Sequence, residues 1–395
     1  MATVLAPGAL RRGSAAPSAA ALRDVFLLDS DWTFLNHGSF GACPRPVFEA
    51  YQRLQLELER QPVEFLEREY GQRIDAARAR LADYLGADVD GLVFVQNTTA
   101  GVNAVARSVE LGPGDEVLTT NHEYGACLLA WQAVCAARGA SLVVAELPDP
   151  LVDATSVVAA LEAASSPRTR VVFVSHLASM TAAVLPVASI CRWAREHGAV
   201  SVVDGAHVPG QLDLDVPTVG ADAYVGNCHK WLCAPKGSAF LWVAEWLRER
   251  VEPVIVSWGC EQGSPFANRY AWGGTHDPAA SLAVPTAIAF QARLRWDDVR
   301  VRGHALAERF QAALIERNGM RPLYTSPEWH GQMVSVPVPW PAQEAGELQR
   351  RLRENARIEV PVIAWQGRTL VRPSFQGYND AHDLGRLLAA LDEIV

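Results

Sequence analysis

Between Gly91 and Val243 the chain alternates short apolar runs with stretches of helical periodicity, and this constrains the fold more than any other feature. The apolar runs fall at 91–95, 116–119, 142–144, 170–175, 199–203, 223–226 and 239–243. Helical stretches separate most of them: one opening at 97–103, then 127–138, 152–164 and 188–197. Strands alternating with helices imply an α/β fold, with a mostly parallel, seven-stranded sheet lying between helices. Such sheets bind ligands beyond the carboxyl ends of their strands. Thr98, Thr99, His122, Ser175, Asp204 and Lys230 all fall at or just past the ends of expected strands.

The rest of the chain follows other patterns. Residues 47–85 read as helix, with Gly71 the only glycine. Past about residue 290 come a helix at 296–317, short alternating segments at 332–338 and 369–374, and helices at 342–355 and 380–394. That is an α+β pattern. A chain of 395 residues suits one large domain plus a smaller one. The expected division is a loose arm at 1–22, rich in Ala, Pro, Gly and Ser, a connecting segment at 23–45, a large domain at 46–290 and a small C-terminal domain at 291–395. The Pro and Gly residues around 259–278 read as a loop over the site.

Composition narrows the function classes. A net charge of −9 and no strong basic run argue against a nucleic-acid partner. No apolar stretch approaches the roughly 20 residues that span a bilayer. Arg11 and Arg12 follow the first apolar run, the wrong order for a secretory signal. Seven cysteines, an odd number without a CxxC pair, point to reduced thiols and a cytoplasmic setting. His176, His207 and His229 lack ligand spacing and no HExxH occurs, so no metal is expected. No GxSxG elbow is present.

The chemistry concentrates in Val202-Val203-Asp204-Gly205-Ala206-His207 and, 23 residues after His207, in Asn227-Cys228-His229-Lys230-Trp231. An acid ends one apolar run and a lysine follows the next. This layout suits pyridoxal phosphate (PLP) held as a Schiff base on Lys230, its pyridine nitrogen kept protonated by Asp204. Alone, Asp204 reads equally as a cap on the next loop, and Lys230 as a surface lysine. Lys230 is, however, the only Lys, Arg, Asp or Glu between Tyr224 and Pro235. Apolar surroundings lower an amine's pKa and suit imine formation. Thr98 and Thr99 open a helix, whose N-terminus suits either a simple cap or a phosphate. Asn227 and His229 are candidates for the same phosphate, and Trp272-Gly273-Gly274-Thr275 for a lid above it. His122 is either a structural histidine or a ring stacked on the pyridine. His207 is placed to face the cofactor's phenolic oxygen. Arg372 ends an apolar run and suits a substrate carboxylate or a surface ion pair.

Five stretches identify a family. They are Leu35-Asn36-His37-Gly38-Ser39-Phe40-Gly41, Asn121-His122-Glu123-Tyr124-Gly125-Ala126, Val203-Asp204-Gly205-Ala206-His207 with Gly210, Gly226-Asn227-Cys228-His229-Lys230-Trp231-Leu232 with Ala234-Pro235, and Arg372-Pro373-Ser374-Phe375-Gln376. The chain resembles the class V aminotransferase group of fold-type I PLP-dependent transferases, and within it the isopenicillin N epimerase-like enzymes. The resemblance implies that Lys230 is the Schiff-base lysine, Asp204 the pyridine partner, His207 the neighbour of the phenolic oxygen and His122 the stacking ring. It implies cofactor contacts from Thr98, Thr99, Ser179, Asn227 and His229. Thr275 matches a phosphate contact made from the second subunit, so a homodimer is implied. Arg372 matches the carboxylate-binding arginine, and Asn36 and Ser39 lie where the 23–45 segment lines the substrate entrance.

Two departures stand out. No cysteine follows Cys260, which argues against a cysteine desulfurase with a persulfide-forming cysteine. Met180-Thr181-Ala182 stands where relatives often carry Gly after Thr, so that backbone freedom is lost.

The expected function is a PLP-dependent enzyme acting at the α-carbon of an amino acid, with Lys230 as general base. The carbanion then leads to epimerisation, to transamination, or to β-elimination by a C–S lyase acting on a cysteine conjugate or sulfoxide. Inversion needs an acid on the face away from Lys230, and both His122 and Tyr124 are candidates. A non-catalytic binding protein on the same fold is disfavoured by Lys230, Asp204 and Arg372 together. Trp258, Phe266, Tyr270 and Trp272 either line an aromatic entrance or form dimer core.

Overall fold

The computed structural model describes residues 16–394. Seven strands form the main sheet: β1 (Leu92–Val95), β2 (Glu116–Thr120), β3 (Ser141–Ala145), β4 (Thr169–Ser175), β5 (Val200–Asp204), β6 (Ala223–Asn227) and β7 (Ala239–Val243). Their order is β1-β7-β6-β5-β4-β2-β3. Neighbours from β6 to β3 are parallel, and only β7 runs against the rest. Residues 228–238 between β6 and β7 are too few for a crossover helix, which takes a dozen or more, so the chain must return antiparallel.

The inner strands bury both faces, whereas edge strand β3 leaves Ser141 and Val144 exposed. Val172 and Val174 of β4 join one apolar cluster, whereas Val171 and Phe173 join the other. This is the period-2 alternation of a strand read from both sides. One face is covered by Thr98–Ser108 and Gly125–Arg138, the other by Ala154–Ala164 and Val187–Glu196. Helix Thr98–Ser108 is capped by Asn97, whose Oδ1 accepts the Ala100 N–H at 2.9 Å. It lies so close to β6 that a Cβ on Gly101 would sit 2.4 Å from Val225.

The structure revises three expectations. The 47–85 helix is divided into Arg45–Arg60, a π-helical turn Glu64–Glu69, and Tyr70–Leu85. The break falls at Gln61 (φ −153°), which precedes Pro62, where the proline ring disfavours helical backbone. The arm at 1–22 is not loose throughout. Residues 1–15 lie outside the described residues, but Ala19–Arg23 is helical, Leu22 is fully buried, and Arg23 donates to the Tyr378 carbonyl. The C-terminal region also contains a strand that the sequence pattern did not suggest, Val362–Trp365. It forms a hairpin with Arg368–Val371 across Gln366 and Gly367, both at positive φ, the mark of a type I′ turn. Val336–Val338 completes that sheet as an edge strand, where Pro337 is tolerated.

The larger apolar cluster does not stop near residue 290. It runs from Leu22 through Val172 and Val203 to Leu370 and Leu391. Segment Thr33–Phe34 pairs in parallel with Ile358–Glu359, which carries the N-terminal segment onto the C-terminal region and past the edge where the strands end. Among the described residues no helix is long and apolar enough to cross a membrane.

Candidate active site

The carboxyl ends of β1, β2, β4, β5 and β6 open on a cavity of about 1070 Å³. Of the thirteen residues singled out from the sequence, ten line it: Lys230, Asp204, His207, Thr98, Thr99, Asn227, His229, Ser179, Ser39 and Thr275. His122, Asn36 and Arg372 do not.

At one end the Asn227 side chain accepts the Thr98 N–H at 3.0 Å, tying the tip of β6 to the helix that follows β1. The Thr98 hydroxyl is buried with no partner. His229 spends Nδ1 on the Ser238 carbonyl at 3.0 Å, so Nε2 is left as an acceptor. Burial lowers its pKa to about 4. Thr275 is exposed on the cavity rim beside Gly274 (φ +107°).

Lys230 stands in the loop after β6, and its backbone is held from three sides. His37 Nε2 lies 3.0 Å from the Lys230 carbonyl, an atom that only accepts, while Gln291 donates to the Trp231 carbonyl at 2.7 Å. Gly41 (φ +68°) packs against the same loop: a Cβ there would fall 2.0 Å from the His229 carbonyl oxygen. The Lys230 amine lies 3.1 Å from His207 Nε2. The other ring nitrogen, Nδ1, faces the Trp231 indole N–H at 3.5 Å. The direction of this bond follows the amine: an ammonium donates to a bare Nε2, and a free amine accepts from Nε2–H. Burial, opposed by the Asp204 carboxylate and helped by the Arg372 charge, lowers the Lys230 pKa to about 8.

Asp204 ends β5, its Oδ1 accepting the Ala206 N–H at 2.9 Å and its Oδ2 the Cys127 thiol at 3.5 Å. Burial raises its pKa, against the pull of the Ala206 N–H and of Lys230. Next to it lies a carboxylate that the sequence reading passed over. Glu123 is 2% exposed and takes hydrogen bonds from Thr120 at 2.7 Å and from Ser175 at 2.6 Å. Burial pushes its pKa up to about 7. Its only sequence signal was its position inside the Asn121–Ala126 stretch; nothing in the sequence pointed to Cys127.

His122 is buried away from the cavity lining. Its Nδ1 lies 2.7 Å from the Thr181 hydroxyl and its ring packs edge-on to Trp365, centroids 5.0 Å apart. Tyr124, two residues on, does line the cavity. The Arg372 guanidinium is 4% exposed and has no carboxylate partner among the described residues. It donates to the Ser179 carbonyl and to the Ser39 hydroxyl, two residues that line the cavity. Ser39 in turn donates to Asn36 at 2.5 Å, and Asn36 donates to Glu359 at 3.0 Å. Arg372 Nε has no partner, and burial lowers the guanidinium pKa to about 10. Ala182 adopts φ +58°, so the backbone keeps the left-handed shape that suits glycine although alanine occupies it. Of the aromatic residues near the loop, Tyr270 lines the cavity, Phe266 is core and Trp258 is 76% exposed.

A family model for class V aminotransferases matches residues 42–387, and the chain belongs to that family. It is a PLP-dependent enzyme on an α/β fold. An isopenicillin N epimerase from Streptomyces clavuligerus is 39% identical over 388 residues, covering 94% of this chain and 97% of that one. A probable chloroplastic L-cysteine desulfhydrase from Arabidopsis thaliana is 30% identical over 401 residues, covering 93% of this chain and 84% of that one. Among solved structures, the apo cysteine desulfurase of Thermococcus onnurineus NA1 matches with a TM-score of 0.81 at 22% identity, over 95% of this chain and 97% of that chain.

The residues present fit the cofactor. The unpartnered Thr98 hydroxyl at the start of an 11-residue helix suits its phosphate, and a buried carboxylate and a buried amine of lowered pKa line the same cavity.

Proposed function

We propose that the enzyme acts at the α-carbon of an amino-acid substrate and that its reaction is epimerisation. The observation that carries the α-amino-acid reading is a pair of buried groups. Lys230 is a buried amine facing the cavity with its pKa lowered to about 8, and Arg372 is a guanidinium with no carboxylate partner among the described residues, beside Ser39 and Ser179. Thr98, Thr99 and Asn227 would hold the cofactor phosphate, with His229 shaping the loop beside it through the Ser238 carbonyl, Asp204 the pyridine nitrogen, and Lys230 the covalent link. Bound there, PLP supplies an electron-withdrawing ring that lowers the barrier to breaking the Cα–H bond.

The protein's own residues do the rest. Arg372, directly behind Ser39 and Ser179 of the lining, takes the substrate carboxylate in a charge-assisted contact as those two residues give way. Lys230, once free, takes the Cα proton on Nζ, a task that suits an amine with a pKa lowered to about 8. Asp204 keeps a proton at the pyridine nitrogen, and its environment of one N–H and one thiol leaves acceptor capacity for that bond.

The 39% identity to an isopenicillin N epimerase supports epimerisation over C–S cleavage, for which the desulfhydrase relative at 30% is the corresponding support. A homodimer is part of the proposal. Thr275 is exposed at the rim, Val254 and Ile255 line the same cavity, and Val256 and Trp258 beside them are 74% and 76% exposed.

The test is a panel of amino acids and peptides incubated with PLP-loaded enzyme in deuterated water. Deuterium at Cα with a change of optical sign is the expected result. Pyruvate with a released thiol or sulfenate makes the enzyme a C–S lyase instead, and a keto acid makes it an aminotransferase. No exchange at Cα with any member sinks the α-carbon reading.

A further inference from the structure

Inversion at Cα needs two groups that reach the carbon from opposite faces, and Lys230 accounts for one. The sequence left two candidates for the other, and the structure separates them. His122 is 2% exposed, its ring is bonded to Thr181 and wedged against Trp365, and it does not line the cavity. Tyr124 does line it, is 45% exposed, and its hydroxyl makes no hydrogen bond among the described residues. Its backbone is pinned as the residue before helix Gly125–Arg138, the Tyr124 carbonyl accepting from Cys127 at 2.9 Å and Leu128 at 3.1 Å.

The sheet sets the direction of approach. Tyr124 follows β2 and Lys230 follows β6. Two strands, β4 and β5, lie between them, so the two chain segments rise about 14 Å apart, three interstrand spacings. Ser175 and Asp204, at the ends of those two strands, form the floor between. Both residues line the one cavity, on chain segments that flank the strand ends carrying Ser175 and Asp204.

We infer that Tyr124 is the second acid of the epimerase, delivering its hydroxyl proton to the face of Cα away from Lys230. The inference rests on the epimerase reading above. The balance is simple. A Cα–H bond breaks and its proton goes to Lys230 Nζ. A new Cα–H bond forms on the other face with the proton of Tyr124 Oη, leaving a phenolate. Lys230 is then one proton richer and Tyr124 one poorer, and exchange with solvent restores both. In the reverse direction the phenolate is the base and the Lys230 ammonium the acid.

The test is Tyr124→Phe in the PLP-loaded enzyme, with inversion and Cα deuterium exchange measured separately by chiral chromatography and NMR. Loss of a general acid predicts a fall in inversion of ~10²–10⁴-fold. Exchange with retained configuration, which needs Lys230 alone, persists. The affinity of apoprotein for PLP, read from quenching of tryptophan fluorescence, stays unchanged. Tyr124→Phe inverting at the parent rate overturns the assignment and leaves the epimerase reading standing. Loss of inversion, exchange and cofactor affinity together also overturns it, since that marks a structural role. Difluorotyrosine at position 124 is the second measurement: a more acidic phenol should move the alkaline limb of the inversion profile to lower pH, and an unmoved limb counts against Tyr124. A parent enzyme that exchanges Cα without ever inverting it sinks the epimerase reading itself.

Discussion

Arg372 carries an unusual charge for a buried residue. It is 4% exposed and its hydrogen bonds go to the Ser179 carbonyl and to the Ser179 and Ser39 hydroxyls, with no carboxylate to balance it among the described residues. A buried cation without a counter-ion is a burden on stability, retained where a ligand completes it. Arg372→Leu removes both the burden and three hydrogen bonds, two of them long, so stability should change by no more than about 1 kcal/mol. The KM for carboxylate substrates should rise ~10–100-fold, the worth of a charged hydrogen bond. Denaturant unfolding and steady-state kinetics check the two halves. An unmoved KM means that Arg372 does not hold the carboxylate.

At the scale of elements, the loop carrying Lys230 is shaped by segments remote in sequence. Gly41 has φ +68°, and a Cβ on it would fall 2.9 Å from the Lys230 Cα as well as against the His229 carbonyl. Gly41→Ala should therefore destabilise the protein by at least ~2 kcal/mol, from left-handed strain and overpacking together. A denaturant midpoint equal to the parent's contradicts this. The elements themselves were largely legible. Short apolar runs marked all seven strands of the main sheet, because the inner ones are buried on both faces; edge strand β3 kept its run though Ser141 and Val144 are exposed. Strand Val362–Trp365 escaped because its burial is uneven and its turn, Gln366-Gly367, is a weak hairpin signal. The break at Gln61 was hidden by a helical pattern that continues on both sides of Pro62.

For the whole molecule, the most general consequence lies in its buried histidines. Burial lowers His37 to a pKa of about 3 and His122, His176, His229 and His330 to about 4, and holds His207 well below its usual value. Each is neutral when folded and takes a proton near pH 6.5 when unfolded. The stability they contribute is thus fully present above about pH 6.5 and is lost as the pH falls toward 4. Glu123, raised to about 7, acts in the opposite sense: its contribution is present below its unfolded pKa and is lost as the pH rises through 7. Asp204, also raised by burial, acts in the same sense as Glu123; six histidines outweigh two carboxyls, so Tm should fall between pH 6.5 and 4. Calorimetry at constant ionic strength would show it, and a flat profile over that range would refute it.

Sequence alone determined the α/β class, the family and the set of strand ends at which the chemistry gathers. These follow from periodicity and local motifs, which act over a few residues. Tertiary structure decided which of several polar neighbours faces the cavity. His122, Glu123 and Tyr124 are consecutive, yet one packs on Trp365, one is clamped between Thr120 and Ser175, and one lines the cavity. It also decided which charges are unpaired, since the surroundings of Arg372 and Lys230 come from residues more than 150 positions away. Side-chain direction and desolvation depend on those distant contacts, and no local pattern encodes them.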